Sequence, residues 1–359
     1  MRILLIRLRE IGDVVFTTPA VRGLRERYPD AYISYIVEPL AAPVVAGNPH
    51  LNDVIVTRGR RGLRGFLDDL SLIRRVRSAR YDLVVDFHSG PRSSLVAWLS
   101  GAPVRIGYDV PGRGWMYTTR VARPRTIRAR HAVANQWDLL ESLGVTPPDR
   151  SRVPAEMTPD GLAVQAVSDR LARLGVTSDQ ELIVLHVSAG NPFRRWPSDA
   201  FASLVITLVR DHPRRRVVIV SGPSEREAAT RVIDRARAGL DAAAQSRVLL
   251  PQEFTLAELR ALMDRATLYI GGDSGPMHIA STTAVPIVGI YGPTLPVRSE
   301  PWRPAQFPNE AAEVAGLECR PCDQRVCVHG DFRCLTWLAP EQVLEAAERA
   351  LARYTNRTP

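Results

Sequence analysis

The sequence predicts an α/β protein built from two doubly wound units. Short apolar, β-branched runs alternate with longer amphipathic stretches, which is the signature of parallel strands joined by helical crossovers. The alternation pauses across a polar stretch carrying Pro147, Pro148, Pro154 and Pro159 and then restarts, as it does where one domain hands over to the next. The chain has 359 residues, too many for one compact core and suited to two of ordinary size. The expected units are 1–160 and 161–338, followed by a C-terminal helix over 339–359.

In chain order, the first half predicts strands at Ile3–Ile6, Tyr32–Val37, Asp53–Val56 and Leu83–Asp86, with helices near Val14–Tyr28, Gly65–Ser78 and Ala132–Leu143. The opening run Ile3-Leu4-Leu5-Ile6 is cut short by Arg7, Arg9 and Glu10, so it reads as a buried strand and not as a signal peptide. The second half predicts strands at Leu182–Val187, Val217–Val220, Arg247–Leu249, Leu268–Ile270 and Pro286–Ile290, with helices near Ser198–Asp211, Ser224–Ala238 and Thr255–Asp264. A loop rich in Pro and Cys, 293–334, precedes a last helix at Pro340–Tyr354 that starts on a well-placed proline.

The chain is 45% hydrophobic and 24% charged, a soluble globular composition. No apolar run approaches the roughly 18 residues of a membrane span, so a cytoplasmic protein without a transmembrane segment is expected. The net charge is +9 and all 47 basic residues are Arg. Codon bias accounts for the absence of Lys but not for the clusters at Arg58, Arg60, Arg61 and Arg64, at Arg74, Arg75, Arg77 and Arg80, and at Arg120, Arg123, Arg125, Arg128 and Arg130. Such clusters are either solvated faces or surfaces for phosphate, which guanidinium binds bidentately. Few aromatics accompany them and no nucleic-acid module is present, which argues against a nucleic-acid partner.

Three segments stand where open α/β sheets bind ligands, just past the carboxyl ends of strands. Glu10-Ile11-Gly12-Asp13 follows the first strand; it lacks the three spaced glycines of a dinucleotide fingerprint, and Asp13 is either a helix cap or a general base. Gly271-Gly272-Asp273-Ser274-Gly275-Pro276-Met277-His278 follows a later strand and opens a helix. Asp273 and Ser274 cap that helix or help to hold a diphosphate at its start, and Gly-Asp-Ser-Gly is not a hydrolase signature on this scaffold. Between them, the loop Ser188-Ala189-Gly190-Asn191-Pro192-Phe193-Arg194-Arg195-Trp196-Pro197 carries two arginines that are either ordinary surface charges or groups for a departing nucleoside diphosphate. Glu225, after another strand, either opens a helix or accepts from a ribose or sugar hydroxyl. Cys319, Cys322, Cys327 and Cys334 are the chain's four cysteines, crowded together. In a cytosolic protein that favours a structural metal site over free thiols, and either over disulfides.

Taken in order, these motifs resemble glycosyltransferase family 9, the heptosyltransferases. The likeness runs through Arg2-Ile3-Leu4, Ile11-Gly12-Asp13-Val14, Thr18-Pro19-Ala20, Tyr81-Asp82-Leu83-Val84-Val85-Asp86, Arg105-Ile106-Gly107-Tyr108, Arg195-Trp196-Pro197, Gly271–Gly275 with His278, Tyr291-Gly292-Pro293-Thr294 and the cysteine-bearing tail. The resemblance implies a GT-B architecture, two Rossmann-like domains facing a central cleft, with the first binding acceptor, the second binding nucleotide-sugar, and the C-terminal helix able to pack back on the first. It implies an inverting, metal-independent transfer of heptose from ADP-heptose to a phosphorylated lipopolysaccharide-core glycolipid, with Asp13 as base. Ser188, Arg194, Arg195, Glu225, Asp273, Ser274, Gly275, His278 and Thr294 would then bind the donor, and Arg58, Arg60, Arg61 and Arg64 the acceptor at an anionic inner-membrane surface. Arg194 stands where the family commonly has Lys. No catalytic cofactor is implied; relatives that modify proteins hold an iron with four cysteines, so zinc or iron is the structural ion expected here. The competing readings are transfer to a protein hydroxyl, a nucleotide-sugar epimerase, and a sugar-nucleotide-binding protein without turnover.

Overall fold

In the computed structural model the described residues are 1–58, 62–123, 130–187, 191–210, 212–222, 225–250 and 252–355. The chain divides into two units, Met1–Thr158 and Pro159–Pro359. Among the described residues each unit holds one parallel sheet. The first orders β3 (Asp53–Val56), β2 (Tyr32–Val37), β1 (Arg2–Ile6), β4 (Leu83–Asp86), β5 (Val104–Asp109) and β6 (Thr119–Ala122) side by side. The second orders β11 (Asn309–Glu313), β10 (Ile287–Tyr291), β9 (Leu268–Gly272), β7 (Glu181–His186) and β8 (Arg215–Val220).

Central strands explain their own composition. β1 pairs on both sides, Ile3 standing opposite Ile33 of β2 and Leu83 of β4, and helices cover both faces. Ile3, Leu4, Leu5 and Ile6 are therefore all buried, giving an unbroken apolar run where a one-sided sheet would alternate. Leu4, Ile6, Ile36 and Val84 share one core with Leu72 and Val76 of the helix Gly62–Ser78 and with Val96 and Ala97 of the helix Pro91–Leu99. Each such Val, Leu or Ile side chain withdrawn from water is worth about 1.5–3 kcal/mol.

In the second unit, Val343, Ala346, Ala347 and Ala350 recur at helical spacing along Pro340–Thr355 and lie in the second core with Leu185, Ile219 and Ile290. The resemblance allows this helix to pack back on the first domain; its apolar face is occupied by the second. Arg247–Leu249, expected as a strand, pairs with β8 only through the isolated bridge of Val217 to Val248. Turn bonds from Arg247 N–H to Ala244 C=O and from Val248 N–H to Gln245 C=O keep it curled as the tail of the preceding helix. The helix expected across Ala132–Leu143 is divided into Ala132–Trp137 and a 3-10 turn at Glu141–Leu143.

The strand orders fix where ligands can bind. Chain direction across the first sheet reverses between β1 and β4, and across the second between β7 and β9. A crevice opens at the carboxyl ends of such a pair, because the two following connections leave to opposite sides.

Candidate active site

Asp13 lies at the first of these crevices, in the first turn of the helix Ile11–Arg27. It is not the helix cap. That position belongs to Glu10, which makes no side-chain capping bond and holds a left-handed backbone at φ 68°, a strained conformation for a non-glycine residue. The Asp13 carboxylate is instead engaged by the Arg7 guanidinium, which also donates to the Phe87 carbonyl at 2.7 Å. One guanidinium thus joins the connection after β1 to the connection after β4. The Asp13 side chain remains 40% exposed.

The β4 connection is itself tightly made. Asp86, fully buried, accepts from the backbone N–H groups of His88 and Ser89 at 2.9 Å each and from the Tyr117 hydroxyl at 2.7 Å. Burial raises its pKa against the opposing pull of these donors. The result is a fixed turn that holds His88 within the field of Asp13. Burial first, and then the charges of Arg7 and Arg9, depress the His88 pKa to about 4, so its imidazole is neutral near pH 7. Sequence reading passed over both Arg7 and His88.

At the second crevice the arrangement is denser. Asp273 is buried, with its Oδ2 accepting from the Thr294 hydroxyl at 2.6 Å and standing 3.4 Å from the Arg194 guanidinium, while His278 Nε2 is 3.3 Å from Oδ1. Burial would raise its pKa, but His278, Arg194 and Thr294 outweigh that and hold it at about 2. Arg194 also donates to the Asp273 carbonyl at 3.0 Å and to Gln324 at 2.8 Å. Arg195 beside it is exposed.

Ser274 and Glu225 meet through a residue that sequence reading missed. His186, buried at the end of β7, has Nδ1 3.4 Å from the Ser274 hydroxyl and Nε2 3.5 Å from the Glu225 carboxylate. Glu225 also accepts from the Gly222 N–H at 3.1 Å. The helix opened by Gly275 runs only to Ala280. Ser274 occupies its cap position without a side-chain capping bond. The paired glycines have protein neighbours: a Cβ on Gly271 would meet the buried Tyr269 hydroxyl at 2.4 Å, and one on Gly272 would meet the Arg194 carbonyl at 3.2 Å. Gly271 leaves room for the Tyr269 side chain, and Gly272 lets β9 and the Arg194 loop lie close together.

Comparison with known proteins is decisive at this point. The sequence profile described as "Glycosyltransferase family 9 (heptosyltransferase)" matches residues 70–332. The chain belongs to glycosyltransferase family 9. It is 28% identical over 302 residues to lipopolysaccharide heptosyltransferase 3 of Escherichia coli K12, covering 82% of this chain and 83% of that one. The crystal structure of a family 9 glycosyl transferase from Veillonella parvula superposes with a TM-score of 0.82 at 25% identity, covering 98% of this chain and 97% of that one. The ADP-heptose lipopolysaccharide heptosyltransferase II of E. coli shares the fold, with a TM-score of 0.76 at 19% identity over 99% of this chain and 100% of that one.

In this family 9 enzyme the arginine cluster is only partly described. Arg60 and Arg61, with Ser188 and with Arg125 and Arg128, lie outside the described residues. Arg58 stands 3.5 Å from Asp68 and borders a cleft of about 130 Å³ with Arg75, Arg92 and Thr57, and the Thr57 hydroxyl is buried there without a hydrogen-bond partner. Arg64 is exposed on the helix Gly62–Ser78. Among the described residues no helix is long and apolar enough to cross a membrane.

The structure lends no support to the metal expected at Cys319, Cys322, Cys327 and Cys334. All four are free thiols, and among the described residues no three His, Cys, Asp or Glu side chains are placed to share an ion. Their environments diverge. Cys334 packs against the second core, where burial pushes its thiol up to about 11. Cys327 lies in a surface turn, where backbone groups at Phe332, His329 and Gly330 lower its pKa. Sequence spacing brings the four into one loop without turning their sulfurs to one point.

Proposed function

We propose that this glycosyltransferase moves a heptose from ADP-heptose to a hydroxyl of a phosphorylated lipopolysaccharide-core glycolipid, with inversion and without a catalytic metal, at the cytoplasmic membrane surface. The observation that carries the reading is the second crevice, where Arg194 is anchored on the buried Asp273 pinned by Thr294 and His278. A guanidinium fixed in this way loses little freedom on meeting a diphosphate and binds it bidentately. Arg195, Ser274, Gly275 and Glu225 complete the donor side, Glu225 accepting from a ribose or sugar hydroxyl. On the acceptor side Asp13 is the base and Arg58 and Arg64 meet phosphate.

The chemistry then balances. The acceptor oxygen attacks the anomeric carbon from the face opposite the nucleotide, so that its bond forms as the bond to diphosphate breaks. Its proton passes to Asp13. Arg7 holds Oδ2 and leaves Oδ1 for that transfer, while the charge growing on the leaving diphosphate meets Arg194 and Arg195. The name and fold of relatives that use ADP-heptose support the choice of donor.

Thermal unfolding in the presence of ADP-, GDP- and UDP-sugars tests it, since a ligand raises the melting temperature with the logarithm of its concentration over Kd. ADP-heptose should stabilise most. Stabilisation by a UDP- or GDP-sugar alone would overturn the donor assignment, and product formation by Asp13→Ala near the wild-type rate would remove Asp13 as base.

A further inference from the structure

The helix Gly62–Ser78 is apolar on two opposite faces. Gly65, Leu72 and Val76 face the core, as an amphipathic helix requires. On the other side, at helical spacing, stand Leu63 at 76%, Phe66 at 65% and Leu67 at 54% exposure, followed about two turns later by exposed Arg74 and Arg77. The helix Pro91–Leu99 packs beside it in the same core through Val96 and Ala97 and turns Leu95 and Trp98 outward. Trp98 meets Trp115 edge to face with ring centroids 5.3 Å apart, and both rings are exposed. Arg92 at the start of the second helix is bonded to Asp69 of the first at 2.9 Å, so the two present one joined surface. An exposed surface of large apolar and indole groups, flanked by arginines, is out of keeping with water.

We propose that this face of the first unit docks on an anionic bilayer, with Leu63, Phe66, Leu67 and Trp98 entering the headgroup region and Arg74 and Arg77 meeting lipid phosphate. Charge chooses the occupant. The chain carries +9 overall, and arginines follow the apolar residues on the same helix face, the pattern that binds the boundary between headgroup and acyl chain. A second copy of the chain would set these arginines against their own kind. The indole pair suits the interface, where an apolar ring and a polar N–H are both accommodated. The inference deepens the proposed function, on which it rests for a membrane-held acceptor; it names how the enzyme reaches that acceptor.

The test is co-sedimentation of the full-length enzyme with vesicles of phosphatidylcholine alone or mixed with phosphatidylglycerol, without donor or acceptor. Wild type should bind the mixed vesicles and release as salt screens the arginines. The triple variant Leu63→Ser, Phe66→Ser, Leu67→Ser and the double variant Trp98→Ser, Trp115→Ser should each bind at least about tenfold more weakly. The melting temperature of the triple variant should stay near wild type, because Leu63, Phe66 and Leu67 are each more than half exposed. Both variants should still glycosylate a deacylated, water-soluble acceptor and lose rate on its acylated form held in vesicles. Failure of wild type to bind, unchanged binding by both variants, or a dimer that the triple variant abolishes while vesicle binding persists would overturn the docking surface. Transfer to the soluble acceptor stands or falls separately, which keeps docking and chemistry distinguishable.

Discussion

Each unit is a doubly wound sheet with an aspartate beside the switch in its strand order, and the two carboxylates are held in different ways. Each sheet reverses direction beside its first strand, and each places an aspartate just past a strand bordering that reversal, Asp13 after β1 and Asp273 after β9. Asp13 keeps two-fifths of its side chain in solvent and has one guanidinium partner. Asp273 is buried among His278, Arg194 and Thr294, with its pKa drawn down to about 2. A group that must take up a proton needs access and a spare oxygen. A group that must hold a cation in place needs neither, and burial among donors makes it unwilling to protonate. Position in the fold creates the crevice, and the number of partners decides what the carboxylate in it can do.

The contrast breaks most visibly at Asp13. Asp13→Asn should lower kcat by about 10²–10⁴-fold while the Kd for ADP, read by calorimetry, stays at its wild-type value. A comparable loss in nucleotide affinity would show that Asp13 is not confined to the acceptor side. Asp273→Ala should act through stability first. Removing one member of a buried charged set costs about 3–5 kcal/mol, to be read from denaturant unfolding, and ADP affinity should fall with it. The unfolded carboxyl titrates near 3.8 and the folded one near 2, so this stabilisation is complete above pH 4 and disappears as pH falls toward 2. Wild type should therefore converge on Asp273→Ala across that window, and parallel stability curves would refute the pinned carboxylate.

Smaller effects sharpen the same comparison. Arg194→Ala should weaken ADP binding about tenfold to a hundredfold, as loss of hydrogen bonds to a charged group does, with Arg194→Lys between it and wild type. An affinity for ADP unchanged in Arg194→Ala would move the diphosphate elsewhere. At the first crevice, the unfolded His88 imidazole takes a proton near pH 6.5 and the folded one only near 4. The folded state is thus disfavoured progressively as pH drops between those values, and His88→Gln should be less sensitive to acid there than wild type. Identical pH dependence of the two melting curves would place His88 in ordinary solvent.

Much of the fold was legible because central strands are covered on both faces and advertise it with unbroken apolar runs, as Ile3-Leu4-Leu5-Ile6 does. Three strands escaped notice: β5, which opens on exposed Val104 and carries Arg105 and Gly107, and β6 and β11 at the sheet edges. β11 reads Asn309-Glu310-Ala311-Ala312-Glu313, and β6 is four residues with alternating exposure; their pairing is supplied by a neighbour and not by intrinsic preference. Arg247–Leu249 shows the converse, an apolar run that forms only an isolated bridge. In the candidate site, Arg194, Asp273, Ser274, His278 and Thr294 were findable because glycines and strand ends mark their loops. His186 was not, since a lone histidine ending a strand looks like core, and Arg7 was one arginine among 47 basic residues. The cysteines mark the limit of spacing as a guide, because proximity along the chain says nothing of which way a sulfur turns.

The bridge made by Arg7 has an evolutionary corollary. Because it grips Asp13 with one arm and the Phe87 carbonyl with the other, the aim of the carboxylate is inherited from the turn built on Asp86 as much as from its own helix. With Asp13 as the proposed base, substitutions in that turn that never touch a sugar are expected to shift acceptor choice by steering the carboxylate, and a laboratory search for new acceptors should find many of its winners between Asp86 and Pro91.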